Sequence, residues 1–158
     1  KQNKSAFWHL VSETVFYYEK LHLTEKIFKP IVHKRPFILV GATGNLKYLK
    51  DYGFQSFDSW IDESYDNIID NDERIDAIVD QVERIVRMPL DAQRKMHQEM
   101  QEVLDYNFNH FFGKFKYIIS KELVNNFKAC ITAYNNAQGF EENMVNIDHC
   151  NFDKLLSI

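Results

Sequence analysis

Apolar positions along this chain follow two regimes. Up to about residue 57 they come in short runs closed by turn residues. From Asp72 onward they recur at three- and four-residue spacing. The run 6–11 (Ala6 to Val11), ending at Ser12, predicts a buried strand. Residues 13–22 predict a loop rich in aromatics, with Phe16, Tyr17 and Tyr18. Thr24 can cap a helix whose Ile27, Ile31 and Phe28 face the core, with Pro30 kinking it after the first turn. The near-continuous apolar run 36–40, stopping at Gly41, predicts a parallel strand covered on both faces. Asn45 is expected to cap a short helix over 46–52, closed by Gly53. Phe54-Gln55-Ser56-Phe57 alternates and predicts a third, short strand, and 62–71 reads as an acidic loop.

In the second regime Ile75, Ile78, Val79, Val82, Ile85 and Val86 define one amphipathic helix. Pro89 suits the first turn of the next, which carries Met96, Met100, Val103, Leu104, Phe108 and Phe111 and is expected to end near Gly113. A third runs over about 114–135 with Ile118, Ile119, Leu123, Phe127 and Ile131, and Gln138-Gly139 breaks it. The predicted fold class is α/β: a Rossmann-like half with a short parallel sheet, followed by a helical C-terminal part. The division falls between an α/β region at 1–88 and a helical extension at 89–158 packed on it as one domain.

With 158 residues, one domain is expected. A formal charge of −4 and the lack of a basic run argue against a nucleic-acid binder. No apolar stretch is long enough to span a bilayer as a helix. Two cysteines, Cys130 and Cys150, are too few for a disulfide framework, so reduced thiols and a cytoplasmic setting are expected. A start at Lys1, just ahead of a strand, suggests that a further segment lies upstream.

The chemistry concentrates at strand ends and helix starts. A helix N-terminus favours anions through its free N–H groups and dipole. Lys26 in that first turn can neutralise a phosphate, and Glu25 can accept hydrogen bonds from sugar or ribose hydroxyls. Ser12 and Glu13 follow the first strand and Gly41 ends the second. In open α/β sheets ligands sit outside the carboxyl ends of the strands, so Ser12, Glu13, Thr24, Glu25, Lys26 and Gly41 are expected to line one crevice. That set suits a nucleotide-sugar, with Lys26 on the diphosphate and Glu13 on a donor hydroxyl or a developing positive charge.

Other candidates read more plainly. Lys29 and Arg35 are expected to be solvated, and Asp70-Asn71-Asp72 to be ordinary helix caps. The histidines show no metal spacing, and Asp148-His149-Cys150 is coincidence, since adjacent residues do not face one another. His9 is expected to be a core or edge residue. Tyr17, Tyr18, Trp60 and Tyr65 are able to stack on a base or sugar, with core packing the default for Trp60.

Ser12-Glu13, a gap of ten residues, Thr24-Glu25-Lys26-Ile27, and then Pro36-Phe37-Ile38-Leu39-Val40-Gly41 resemble the donor-binding segment of glycosyltransferases with two Rossmann-like halves, most closely the α1,3-fucosyltransferase-like group. Residues 46–57 and 60–66 are similar to the segment that follows the glycine strand there. The resemblance covers about residues 6–87. Lys34-Arg35 stand where the family has a small residue or glycine before the proline, and the chain has room for one half only. The resemblance implies sugar transfer from a nucleotide-sugar to an acceptor hydroxyl without a metal or other cofactor. A missing N-terminal half or partner chain would supply the acceptor site and general base. The alternative is a non-catalytic structural or interaction module that keeps this fold. A small independent hydrolase is weaker, because no nucleophile–base pair is visible.

Overall fold

The computed structural model describes residues 7–17 and 20–137. The chain forms two compact units, Lys1–Phe112 and Gly113–Ile158. The first is built on a parallel pair of strands, β1 (His9–Ser12) and β2 (Phe37–Val40), joined through helix α1 (Glu25–Val32). His9 lies opposite Phe37 and Ser12 opposite Val40. The pairing extends at both ends, where the His9 N–H donates to Pro36 (2.9 Å) and the Glu13 N–H to Val40 (2.8 Å). Phe37, Ile38 and Leu39 are all buried, as a strand covered on both faces requires. β1 departs from the expected buried strand. Val11 is buried, but Leu10 on the other face of the strand is 60% exposed.

Helix α1 begins as its sequence predicts. Thr24 is extended and its hydroxyl accepts from the Lys26 N–H. Ile27, Pro30 and Ile31 form the buried stripe. Helix α2 (Asn45–Asp51) ends at Gly53, whose φ of +91° is the left-handed cap that glycine adopts without a Cβ penalty. Its start differs from expectation: Gly44, not Asn45, occupies the cap position, and Asn45 is the first helical residue.

The predicted third strand at 54–57 does not form. The Asn107 side chain takes the place of a neighbouring strand, accepting from the Gln55 N–H (2.8 Å) and donating to the Gln55 carbonyl (2.9 Å). Glu63 accepts from the Phe57 N–H. With its backbone bonded by side chains, the segment needs no ladder. Phe57 is fully buried against Trp8, Phe37 and Trp60, the aromatic centre of this unit. Burying one such ring contributes about 2–3 kcal/mol.

A single 3₁₀ turn (Ser64–Asn67) interrupts the predicted loop before α3 (Asn71–Val86). Asp70 caps α3, accepting from the Asp72 and Glu73 N–H groups, the ordinary cap its sequence suggests. On α3, Ile78 and Ile85 are buried, whereas Val79 and Val86 face solvent. The single helix expected over 89–113 is two, α4 (Leu90–Glu99) and α5 (Gln101–His110), parted at the fully buried Met100.

Helices α4 and α5 belong to the first unit, which ends at Phe112. Met96, Met100 and Leu104 are buried. Lys34 of the α1–β2 loop pairs with Asp105 (2.8 Å) and lies over the Phe108 ring. The expected helix end at Gly113 is instead a π turn (Phe111–Phe115) leading into α6 (Lys116–Ala137). In the second unit, Ile119, Leu123 and Phe127 of the apolar face expected there are exposed. Gln138-Gly139, Asp148-His149-Cys150, Cys150 and Tyr18 lie outside the described residues.

Candidate functional site

The six residues singled out from sequence gather at the carboxyl edge of the strand pair. Parallel pairing puts Ser12 beside Val40, so Glu13 and Gly41 leave the sheet together. Helix α1 runs back over the sheet and returns its N-terminus to this edge. They divide into an inner and an outer set.

Glu13, Thr24 and Gly41 are turned inward. Glu13 is buried; one carboxylate oxygen accepts from the Thr24 N–H (3.2 Å) and the other from the Thr24 hydroxyl (2.5 Å). The same hydroxyl accepts from the Lys26 N–H. The spaced Ser-Glu and Thr-Glu-Lys segments are thus a clamp that ties the end of β1 to the start of α1. Gly41 is required by packing: a Cβ there would stand 2.5 Å from the Asn45 Nδ2. Asn45 needs that space, because its carboxamide holds both the N–H and the carbonyl of His22.

Ser12, Glu25 and Lys26 form the outer set. Ser12 and Glu25 are exposed, and Lys26 is half-buried. The Lys26 ammonium donates to the Thr14 hydroxyl (3.2 Å), which holds it over the edge and leaves donors for a ligand. Lys29 is exposed, as expected.

Two groups at this edge carry no local sequence signal. Asp66 is buried and its carboxylate accepts from the Leu46 and Lys47 N–H groups, 2.8 and 2.9 Å away. Its own carbonyl accepts from the Gly44 N–H and the Thr43 hydroxyl. The chain's own carboxylate therefore fills the N-terminus of α2. Arg74 is 2% exposed; it donates to the carbonyls of Phe16, Ile68 and Ile69 and to the Asn71 side chain, and stacks on the Phe16 ring at 4.3 Å. It pins the loop after β1 to the start of α3. The Ala42 N–H, donating to Val15, pins the same loop to β2.

Of the aromatic candidates, Tyr17 is 73% exposed on that loop. Tyr65 lies in the core; burial, and then the nearby Glu63, push its phenol well above the ordinary tyrosine range. Its hydroxyl meets the Leu39 main chain, so it serves the sheet and not a ligand. Trp60 is half-buried beside Phe57, its indole N–H donating to Glu99 (3.3 Å).

At the opposite edge, His9 on β1 and His97 on α4 both lie within the field of Arg35. Burial and then Arg35 hold both imidazoles below the usual histidine range, with His33 adding to the effect on His9. Among the described residues no three His, Cys, Asp or Glu side chains are grouped to hold a metal, and no helix is long and apolar enough to cross a membrane. In comparisons with known proteins, no family model, no curated protein and no solved structure matches this chain.

Proposed function

We propose that this chain is the donor-binding part of a glycosyltransferase, which moves a sugar from a nucleotide-sugar to an acceptor hydroxyl. One observation carries the reading: Lys26 and Glu25 stand in the first turn of α1, at the carboxyl edge of a parallel β–α–β unit. Lys26 together with the helix dipole neutralises the diphosphate as it departs, which stabilises the charge that develops in the transition state. Glu25 and Ser12 accept hydrogen bonds from sugar or ribose hydroxyls. Glu13, Thr24 and Gly41 hold these groups in place without touching the donor. The general base and the acceptor site come from outside this chain.

A second reading is favoured by a specific observation. Glu13 and Asp66 turn the chain's own carboxylates onto the two helix starts at this edge, as in a module that keeps the fold but binds no donor. Calorimetric titration with nucleoside diphosphates and their sugars separates the two. Saturable binding of one nucleotide, weakened roughly tenfold or more by Lys26→Ala, is expected for the donor site. No binding to the folded chain, or equal binding by Lys26→Ala, sinks it in favour of the module.

A further inference from the structure

We infer a second ligand site, for a neutral sugar ring, at the edge of the sheet opposite Lys26. Helix α2 starts at the carboxyl edge and runs back, so Lys50 in its last turn lies at the other end. Phe57, packed on Phe37 at the start of β2, marks the same end. Here an open cavity of about 400 Å³ is lined by Lys50, Gln55, Asp58, Trp60 and Val103, among others. That volume is in the range of small-molecule sites.

The walls are held before any ligand arrives. The Lys50 ammonium lies 3.3 Å from a carboxylate oxygen of Asp58 and 3.3 Å from one of Glu63. The Glu63 side chain is only 7% exposed and is itself held by the Phe57 N–H and the Ser56 hydroxyl. A carboxylate this buried, positioned to orient a surface lysine, is an expensive way to stabilise a fold. It is an effective way to pre-set a polar group in a binding site. The Trp60 indole N–H donates to Glu99, and the Trp60 main-chain carbonyl accepts from Arg84.

The chemistry selects the ligand. Two carboxylates outnumber one ammonium, so a phosphate or carboxylate ligand is repelled. Asp58 is 65% exposed and accepts from hydroxyls, Lys50 donates to them, and the Gln55 amide does both. Trp60 and Val103 supply the apolar wall that the C–H face of a sugar needs. The site uses no residue of the Lys26 edge and stands whether or not a nucleotide binds there.

The test is NMR titration of the full chain with methyl α-glucoside, methyl β-galactoside, maltotetraose and cellotetraose, following the Trp60 indole N–H, which Trp60→Phe distinguishes from that of Trp8. The expected result is a saturable shift with a Kd of about 1–10 mM for at least one probe. Asp58→Asn, at an exposed position that leaves the fold intact, weakens it roughly tenfold. Trp60→Ala, read on the Gln55 side-chain amide because the indole signal is gone, abolishes saturation, and Lys26→Ala leaves binding unchanged. Tighter binding of a tetraose than of the methyl glycosides identifies a polysaccharide segment as the ligand. Equal binding identifies a single ring. The inference is overturned if no probe gives a saturable shift, if saturation survives both Asp58→Asn on the indole N–H and Trp60→Ala on the Gln55 amide, or if phosphate or acetate saturates the site while neutral sugars do not. Sugar binding without nucleotide binding removes the donor reading and leaves this one standing.

Discussion

Arg74 shows how much one side chain can organise. It is almost wholly buried, and it bonds main-chain carbonyls from two separate segments as well as Asn71. Its Nε finds no partner, so part of its desolvation cost is uncompensated. Replacing it with methionine keeps much of the volume but leaves buried carbonyls without donors. Arg74→Met is therefore expected to lower stability by about 2–4 kcal/mol in urea unfolding. A loss under about 1 kcal/mol would show that the Phe16 loop is held by other contacts. The local sequence gives no sign of this role, since one partner, Phe16, lies 58 positions away.

At the level of elements, the two helices facing the candidate donor edge start differently. Helix α1 is capped locally by Thr24, and that is readable from the residues beside it. Helix α2 begins after a left-handed Gly44 with no side-chain cap of its own and relies on Asp66, about twenty positions ahead. Asp66→Ala removes two carboxylate-assisted bonds from the α2 start and is expected to cost about 1–2 kcal/mol, measured by chemical unfolding. Asp66→Asn should fall between the parent and the alanine variant. An Asp66→Ala protein as stable as the parent would mean that the α2 N–H groups are satisfied in another way. The failed third strand has the same kind of cause: alternation at 54–57 is real, but a side chain from α5 supplied the hydrogen bonds that a neighbouring strand would have made.

For the molecule as a whole, pH should act through the histidines at the amino edge of the sheet. His9 and His97 have folded pKa values below the ordinary 6.5, first through burial and then through Arg35. In the window between the lowered values and 6.5 the unfolded chain binds more protons, so stability rises with pH. Their contribution is complete above 6.5 and is lost as pH falls through the folded values. Glu63 acts with the opposite sign, since burial raises its carboxyl above the usual range; its favourable contribution is lost as pH rises through that folded value. The histidine effect is therefore read as a difference: the parent should lose more stability than His9→Gln/His97→Gln when the pH is lowered from 7 to 5. Parallel pH profiles for the two proteins would count against it.

Local patterns decided the β–α–β order, the Thr24 and Asp70 caps, the Gly53 stop and the run of helices, because each depends on neighbours within a few residues. They also brought the outer set of Ser12, Glu25 and Lys26 to one edge, since parallel strands deliver their carboxyl ends to the same side. Tertiary structure decided what those patterns could not carry. It turned Glu13 and Thr24 on each other, put Asp66 on the start of α2, replaced a strand with Asn107, drew α4 and α5 into the first unit, and set Lys50 between Asp58 and Glu63. The physical reason is common to all five. A buried polar group, backbone edge or apolar face must be satisfied by whatever the fold brings next to it, and that neighbour is chosen in space and not along the chain.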